Sequence, residues 1–318
     1  MIAEGRTPIV GRMAVTSYTV AISPEAVEKL RGILVRDGFD LLEKPYAHYG
    51  AKKGKLSVTV YEKGPKVLVQ GKATEEFVQF TLEPQILGEA RLGYEEVTNP
   101  EMFAPHFGID ESGKGDFFGP LVIAGAYVDG AAARALLDGG VTDSKKIGSA
   151  ARIVKLAKIV RETRGVREVV VAISPTRYNE MYANFRNLNE LLAWGHATVI
   201  TELLKKVPDC PLALSDQFAN PRVLERALKK KGVSILLEQK TKGESDVAVA
   251  AASILARERF VRWMREGSEQ WGMELPLGAG PQVLLAGREF LTKYGASELG
   301  NVAKLHFKTA TEILDGSD

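Results

Sequence analysis

The segment DESGKGDFFGPLVIAG, residues 110–125, joins two adjacent acids to a glycine-rich loop and then to an apolar run. The run continues as LVIAGAYV, which is typical of a buried strand. Further along, VREVVVAI, CPLALSD and VSILLEQ predict three more strands, and NLNELLAWGHATVITELLKKV and SDVAVAAASILARERFVRWMREG predict long helices. Strands that alternate with helices in this way predict an α/β domain over residues 105–318, with a mixed sheet flanked by helices.

The loop after the acid pair matches part of a phosphate-binding P-loop, since Gly108 is followed by four residues and then by Gly113 and Lys114. A working P-loop continues with a serine or threonine, whose hydroxyl binds magnesium, but this chain has Gly115 there. The acid pair would also repel a nucleotide triphosphate. A nucleotide-hydrolysing protein therefore stays only as a minor alternative.

The first 88 residues predict a smaller α/β domain. MAVTSYTVAI alternates like a strand, and SPEAVEKLRGILVRDG predicts a helix with Ser23 as its N-cap and Gly38 at its end. AHYGAKKG, KLSVTVYEKG and KVLVQGK predict a meander of short strands, and ATEEFVQFTLEPQIL predicts a second helix. The expected result is a curved antiparallel sheet with helices on one face and the other face open. Residues 89–104 lack a clear period and are predicted to be a linker.

Lysines and tyrosines are concentrated between Glu43 and Lys72, where seven lysines stand against two glutamates. Basic side chains interleaved with aromatic rings suit the phosphate backbone and the stacked bases of a nucleic acid. A solvated sheet with a fringe of lysines explains the same residues equally well. This lysine–tyrosine cluster is expected on the open face of the sheet, and its members are Lys44, Lys52, Lys53, Lys55, Lys63, Lys66, Lys72, Tyr46, Tyr49 and Tyr61.

Composition excludes several classes of protein. The 318-residue chain is 45% apolar and 26% charged, with a net charge of +2, as in ordinary globular proteins. No apolar run approaches the roughly 18–20 residues that cross a bilayer, and the N-terminus lacks the apolar region of a signal peptide, so a cytoplasmic protein is expected. Cys210 is the only cysteine, which excludes an internal disulfide and a cysteine-built zinc site.

Acidic residues stand at the ends of three predicted elements. Asp110 and Glu111 precede the glycine-rich loop, Asp216 ends the run LALSD, and Asp246 begins a long helix. Clustered carboxylates raise one another's pKa unless cations neutralise them, and oxygen ligands without cysteine or histidine favour Mg²⁺ or Mn²⁺. Two such ions about 4 Å apart form a site for phosphodiester cleavage. Spacing alone leaves an equal alternative, in which each acid is an isolated cap or surface charge.

Five motifs occur in order across roughly residues 105–310: DESGKGDFFGPLVIAG, TDSKKI, NLNELLAWGHA, SDQFA and SDVAVAAASILAR. Together they resemble the type 2 ribonucleases H, and within that group they are most similar to ribonuclease HIII. KLHFKT near the C-terminus fits this resemblance, and Gly113-Lys114-Gly115 stands where ribonuclease HII usually has Gly-Arg-Gly. Residues 1–88 resemble the N-terminal extension of ribonuclease HIII, which is similar to one repeat of the TATA-binding protein.

The resemblance implies an RNase H-like fold and an endonuclease that hydrolyses the RNA strand of RNA–DNA hybrids, leaving 5′-phosphate and 3′-hydroxyl ends. It implies two Mg²⁺ ions per site, with Mn²⁺ as the alternative, held by a catalytic set of four acids: Asp110, Glu111, Asp216 and Asp246. Glu244, near Asp246, is the residue most easily left out of this set by mistake. The residues expected to contact nucleic acid are Gly113, Lys114, Gly115, Ser144, Lys145, Lys146, Asn187 and Asn189. For Asn187 a helix cap is an equal alternative.

Two other functions stay open. One is incision at single ribonucleotides embedded in DNA, as ribonuclease HII performs it. The other is a hybrid-binding protein without catalysis, against which the four acids argue, since a pure binder has no need to crowd acids near phosphate. The expected partner is an RNA–DNA hybrid, with no membrane and no small-molecule nucleotide, and the expected state is a monomer with residues 1–88 as a substrate-binding domain.

Overall fold

The computed structural model describes residues 15–88, 99–141, 147, 149–241 and 243–315. The chain divides into two units, Met1–Glu101 and Met102–Asp318. No helix in the described part of the chain combines the length and the apolar character that spanning a bilayer requires. Of the linker predicted at 89–104, residues 89–98 lie outside the described ranges, and Pro100–Phe103 form a short 3₁₀ helix.

Five antiparallel strands form the sheet of the first unit: β1 (Ser17–Ala21), β2 (Asp40–Leu42), β3 (Ala47–Lys53), β4 (Leu56–Tyr61) and β5 (Lys66–Gly71). Their order is β1-β5-β4-β3-β2. Helix α1 (Pro24–Arg36) begins where Ser23 Oγ accepts a hydrogen bond from the Ala26 amide. Its residues Leu30 and Leu34 are fully buried in one core with Val58 of β4, so the helix covers one face of the sheet.

The second helix of this unit departs from the predicted regular form. Only α2 (Thr74–Phe77) is α-helical, and the chain continues as a π-helical segment, Val78–Leu87, with Pro84 inside it. A proline has no amide hydrogen to donate and its ring crowds the preceding turn, which explains why a regular helix is not maintained. The segment ends at Gly88, whose φ of 71° is the left-handed conformation that glycine adopts readily.

Tyr49 does not lie on the open face of the sheet, contrary to the expectation for the lysine–tyrosine cluster. Its ring is buried against α1 and its hydroxyl donates a hydrogen bond to the Val27 carbonyl at 2.7 Å. Lys44, in contrast, crosses the open face. Its Nζ donates to Thr59 Oγ1 at 2.8 Å, and its stem lies over Gly50, where a Cβ would come within 3.2 Å of it. The rest of the cluster is exposed, but Lys53 also departs from the expectation, since its Nζ donates to the Asp37 carbonyl oxygen at the end of α1, on the helical face, at 2.7 Å.

Five strands also form the sheet of the second unit, namely β6 (His106–Ser112), β7 (Leu121–Val128), β8 (Arg167–Ile173), β9 (Leu212–Asp216) and β10 (Leu236–Lys240). Their order is β10-β9-β6-β7-β8. The pairs β6–β7 and β7–β8 are antiparallel, whereas β6–β9 and β9–β10 are parallel. The predicted mixed α/β class is therefore confirmed, with an antiparallel sheet in the first unit and a mixed sheet in the second.

Nine α-helices in the described part of this unit cover the sheet: α3 (Gly130–Asp138), α4 (Ala150–Glu162), α5 (Pro175–Phe185), α6 (Leu188–Lys206), α7 (Pro221–Lys230), α8 (Val247–Trp271), α9 (Pro281–Tyr294), α10 (Ala296–Leu299) and α11 (Lys308–Asp315). One core lies between the sheet and α3, α4 and α8, and a second lies between the sheet and α5, α6 and α7. Both faces are thus buried, which accounts for the continuous apolar character of β7.

Helix α8 lies unusually close to β6. A Cβ atom on Gly108 would come within 2.1 Å of the Ala248 carbonyl carbon and of the Val249 nitrogen. Only glycine leaves room for this approach. The small residues at the start of α8 are all buried, as the alanine-rich sequence predicts, so the helix places its first turns directly over the strand that carries Asp110.

Candidate active site

Three of the four predicted acids line one cavity of about 410 Å³. Asp110 and Glu111 lie near the C-terminal end of β6, and Asp216 is the last residue of β9. These strands are parallel neighbours, with Ile109 paired to Ser215, so their C-terminal ends meet at one edge of the sheet. The other residues around the cavity are Ser112, Gly113, Lys114, Gly115, Ser253 and Arg257.

Asp110 is the most deeply buried of the three acids, with a relative exposure of 6%. One of its oxygens, Oδ1, accepts the Glu111 amide at 2.8 Å. Burial and then the charge of Glu111 raise the pKa of Asp110 to about 7, against the lowering effect of a hydrogen bond from Ser253. Without a cation beside it, this carboxyl therefore holds a proton up to near-neutral pH.

Glu111 faces two cationic or hydrogen-bonding side chains. Its Oε2 lies 3.0 Å from His196 Nε2, and its Oε1 lies 3.5 Å from Lys114 Nζ. Burial would raise the pKa of Glu111, but the hydrogen bond and charge of His196, followed by Lys114, outweigh it and lower the pKa. The acid pair thus contains one protonated and one ionised carboxyl at mildly acidic pH.

Asp216 is partly exposed at the cavity wall. Its Oδ1 accepts the Gly243 amide at 3.1 Å, and its carbonyl oxygen accepts the Ser215 hydroxyl at 3.0 Å. Gly243 packs so closely that a Cβ there would come within 3.2 Å of the Asp216 Cα. The segment before α8 therefore holds the end of β9 in place.

Asp246, the fourth predicted acid, is not among the residues that line the cavity. It is the N-cap of α8, where its Oδ1 accepts the amides of Ala248 at 2.8 Å and Val249 at 3.2 Å. The same oxygen lies 3.0 Å from Nε2 of His106, a buried residue that the sequence did not single out. Burial opposes a charge on His106, but the hydrogen bond and charge of Asp246 raise its pKa. The Glu244 side chain is outside the described part of the structure.

The cavity suits hard cations by its chemistry, since its acidic donors are carboxylate oxygens with no cysteine among the lining residues. Within the described residues, no group of three or more histidine, cysteine, aspartate or glutamate side chains is already close enough to hold a metal ion. The contacts of Glu111 give a reason, because Lys114 and His196 each face one of its oxygens. The Lys114 ammonium group lies beside Glu111 Oε1, at a position that a metal ion could occupy instead.

Comparison with known proteins assigns the family. The family model described as Ribonuclease HII matches residues 107–310, which include all three acids of the cavity. The chain belongs to the ribonuclease HII family. The predicted resemblance is therefore confirmed.

Relatives within the ribonuclease HII family cover nearly the whole chain. Ribonuclease HIII of Protochlamydia amoebophila is 41% identical over 297 residues, which is 93% of this chain and 96% of that protein. Ribonuclease HIII of Chlamydia pneumoniae is also 41% identical and covers 94% and 98%. Among solved structures, Bst-RNase HIII in complex with Mn²⁺ is similar with a TM-score of 0.66 and 28% identity, covering 95% of this chain and 99% of that one.

The glycine-rich loop of this ribonuclease HII-family chain contains one glycine that no other residue can replace and one that has free space around it. Gly113 has a φ of 86°, and a Cβ there would come within 2.2 Å of the Pro120 carbonyl oxygen, so other residues are excluded. Gly115 is exposed, and nothing lies within 4 Å of the place where its Cβ would be. Lys114 stands between them, half-buried, with its Nζ 5.9 Å from the centre of the Phe218 ring. The loop thus presents one lysine and one open backbone position beside the cavity.

Of the other residues predicted to contact nucleic acid, two lie at the start of α6 and three lie outside the described residues. Asn187 is the N-cap of α6, where its Oδ1 accepts the Asn189 amide at 2.9 Å, and both residues are exposed. The cap that the sequence left as an alternative for Asn187 is thus present. Ser144, Lys145 and Lys146 lie outside the described residues.

A buried lysine holds the far end of the glycine-rich loop. The Lys304 side chain is fully buried, and its Nζ donates to the carbonyl oxygens of Asp116 at 2.7 Å and Phe118 at 3.4 Å. Burial lowers the pKa of Lys304 to about 7. The Asp116 carboxylate in turn accepts the Gly278 amide at 2.7 Å. His306, from the same KLHFKT motif, stacks on Tyr182 with ring centres 4.3 Å apart, consistent with a packing role.

Proposed function

We propose that this protein is a metal-dependent endonuclease that hydrolyses the RNA strand of RNA–DNA hybrids. The observation that carries the proposal is the meeting of Asp110, Glu111 and Asp216 in one cavity beside Lys114, in a chain of the ribonuclease HII family. Three carboxylates beside a lysine suit a polyanionic substrate only when cations accompany it, because the acids alone would repel phosphate.

Asp110, Glu111 and Asp216 would hold the metal, and we propose two Mg²⁺ ions per site, with Mn²⁺ as the alternative. When bound, such ions lower the pKa of the attacking water and neutralise the charge that develops on the phosphate. Asp246 is retained as the candidate fourth acid, with Glu244 as the alternative. Oδ1 of Asp246 already caps α8 and contacts His106, so this acid would both seat the helix and hold the metal.

Cleavage would form a bond between the water oxygen and phosphorus and break the bond from phosphorus to the 3′ oxygen. The products are a 5′-phosphate and a 3′-hydroxyl, which takes up a proton. The pKa of the Asp110 carboxyl is raised to about 7 in the metal-free protein, so this group would have to be ionised to hold a cation. Lys114 Nζ lies 3.5 Å from Glu111 Oε1 in the metal-free protein, and with a cation beside Glu111 this lysine would be available to contact a phosphate of the RNA strand.

Substrate contacts beyond the acids are proposed at two places. In the second unit they are the glycine-rich loop Gly113–Gly115 beside the cavity, Asn187 and Asn189 at the start of α6, and, from the resemblance alone, Ser144, Lys145 and Lys146. In the first 88 residues they are the exposed lysines on the open face of the sheet. Residues 105–318 would carry the chemistry and residues 89–104 would link the two parts. We also propose that the protein acts in the cytoplasm as a monomer, which size-exclusion chromatography with light scattering tests.

The test is cleavage of a uniform RNA–DNA hybrid and of a DNA duplex with one embedded ribonucleotide, each with Mg²⁺ and with Mn²⁺. We expect cleavage of the uniform hybrid, at least tenfold faster than of the single ribonucleotide, and none in EDTA. Faster cutting at the single ribonucleotide would favour the ribonuclease HII-like alternative.

The control variant is Asp110→Asn, which keeps the size of the side chain and removes its charge. We expect it to bind the hybrid within about threefold of the parent and to lose at least a hundredfold in cleavage rate. Binding without cleavage by the parent itself would instead support the hybrid-binding alternative. Parental cleavage by Asp110→Asn would refute the metal assignment.

A further inference from the structure

We infer that His196 is a positioning residue, which fixes the Glu111 carboxylate relative to Asp216. This inference rests on the proposed function, in which both acids hold the metal. His196 lies on α6 and is fully buried behind the cavity, where it contacts Glu111 of the cavity lining. His196 is not one of the residues that line the cavity, so we expect it to contact neither the metal nor the hybrid and to act through Glu111.

Both ring nitrogens of His196 have partners at the strand ends. Nε2 lies 3.0 Å from Glu111 Oε2 on β6, and Nδ1 lies 3.0 Å from Ser215 Oγ on β9. Ser215 precedes Asp216, and its hydroxyl donates to the Asp216 carbonyl oxygen at 3.0 Å. One imidazole ring therefore connects the end of β6 to the end of β9.

This connection begins where the strand pairing ends. The described pairs between β6 and β9 are Phe107 with Ala213, Gly108 with Leu214 and Ile109 with Ser215. The acids that follow are beyond the last of these pairs. Glu111 is still paired with β7 and Asp216 with β10, but no described pair joins β6 to β9 beyond Ile109 and Ser215. The side chain of His196 supplies a link between the two strands at that point, next to the two carboxylates.

The direction of the hydrogen bonds follows from the partners. A carboxylate oxygen only accepts, so the hydrogen on Nε2 points at Glu111. The Ser215 hydroxyl has one hydrogen, which goes either to the Asp216 carbonyl oxygen, with Oγ accepting from Nδ1, or to Nδ1 itself. The contact with Glu111 is thus the specific one. It directs Glu111 Oε2 toward α6, while Oε1 lies 3.5 Å from Lys114 Nζ.

Packing leaves the ring little freedom to move. Gly195, the preceding residue, brings α6 so close to β7 that a Cβ there would come within 2.7 Å of Ile123 Cδ1. On the other side, the Phe218 ring lies 4.7 Å from the imidazole centre. A residue that only filled space here would be apolar, because a buried imidazole without partners is costly.

The test compares two amides that each preserve one nitrogen of the ring. In His196→Gln the amide nitrogen reaches the position of Nε2, which faces Glu111. In His196→Asn it reaches the position of Nδ1, which faces Ser215. The measurements are Mn²⁺ dissociation constants of the substrate-free protein by electron paramagnetic resonance, kcat and KM on a uniform hybrid, and urea unfolding in EDTA.

We expect His196→Asn to weaken Mn²⁺ binding tenfold or more and to lower kcat, while His196→Gln stays within about threefold of the parent. KM for the hybrid should stay unchanged in both. Ser215→Ala, which removes only the other contact, should fall between them. The control is Thr201→Val on the same helix, whose hydroxyl bonds the Ala197 carbonyl, and it should match the parent in Mn²⁺ affinity.

The inference would be overturned if His196→Gln and His196→Asn bound Mn²⁺ with equal affinity. This holds if both match the parent, and also if both lose Mn²⁺ affinity and stability to the same extent. Glu111→Gln separates this failure from that of the proposed function. Should Glu111→Gln keep parental Mn²⁺ affinity and cleavage, the metal assignment itself is wrong. Should it lose both while the His196 variants do not differ, only the positioning role is lost.

Discussion

Gly108 lies against the main chain of Ala248, so close that the strand carrying Asp110 and the helix carrying Ser253 touch through backbone atoms. The contact fixes the distance between two walls of the cavity. It also makes residue 108 the place where the smallest substitution should do the most damage.

Gly108→Ala should destabilise the protein by about 3 kcal/mol or more, because its methyl group would meet backbone atoms that no side-chain rotation can move. Urea unfolding measures the change. The control is Gly32→Ala in the middle of α1, where nothing lies within 4 Å of the added methyl. That variant should gain about 0.5–1 kcal/mol from helix propensity. Parental stability of Gly108→Ala would mean that α8 is not seated on β6 as described.

Asp110→Asn should stabilise the metal-free protein increasingly as the pH rises. The ordinary pKa of Asp110 is 3.8 and the folded value is about 7, so between these values the folded state binds a proton that the unfolded state does not. Stability therefore falls with rising pH over that window, by at most ~1.4 kcal/mol per pH unit, and the asparagine variant lacks this loss. Unfolding in EDTA at pH 4, 5.5, 7 and 8 measures the difference, with exposed Asp209→Asn as the control. A difference that does not grow with pH would contradict the raised pKa.

Asp246→Asn should lower the cleavage rate at least a hundredfold at near-parental stability, because asparagine retains the oxygen that caps α8 but loses the charge that would hold a cation. Glu244→Gln is measured in parallel under the same conditions. Cleavage that is lost in Glu244→Gln but kept in Asp246→Asn would assign the fourth acid to Glu244.

Lys304→Met should remove a pH dependence of stability at alkaline pH. The folded pKa of Lys304 is about 7, below its ordinary value of 10.5, so between these values only the unfolded state binds the proton. The parent therefore gains stability as the pH rises from about 7 to about 10.5, by at most ~1.4 kcal/mol per pH unit, whereas the methionine variant does not. Exposed Lys29→Met is the matched control. The free energy of unfolding of the methionine variant, relative to that of the parent, should be highest below pH 7. A difference that does not change with pH would refute the lowered pKa of Lys304.

Charge reversal on the open face of the first sheet should weaken hybrid binding without changing the chemistry. Lys52 and Lys66 alternate with buried Ala51 and Val67, so both project from the open face. The double variant Lys52→Glu, Lys66→Glu should raise KM tenfold or more, leave kcat unchanged and lower the dependence of binding on salt. Lys29→Glu on α1, on the helical face, is the control. Equal KM values for both variants would remove the lysine–tyrosine cluster from the substrate-binding surface.

The sequence predicted that acids at the ends of elements would meet, but it did not predict contacts between residues that are far apart in the chain. Asp216 closes the predicted strand CPLALSD, whereas β6, the strand that carries Asp110, was not predicted; the parallel pairing of the two strands brings their C-terminal ends together. Asp246 precedes a helix, where a metal ligand and an N-cap look alike in sequence. Its partner His106 is 140 residues away, so no local pattern could reveal it.

Other differences had a signal that was available. Ala47, Tyr49 and Ala51 alternate with polar or small residues, which already assigned Tyr49 to the buried face. Pro84 likewise marked where a regular helix would be disturbed. His196 lay inside a motif that identified the family, but its contact with Glu111 depends on the placement of α6 across the sheet.

The pairing of Ile109 with Ser215 also sets when activity can arise during synthesis. These residues join the first strand of the sheet to a strand made much later, and the cavity is completed by Ser253 and Arg257, which are translated later still. Contacts between such distant parts of a chain are slow to form. A chain translated only as far as β9 therefore lacks two of the residues that line the cavity, and the cavity is complete only after Arg257 of α8 has left the ribosome.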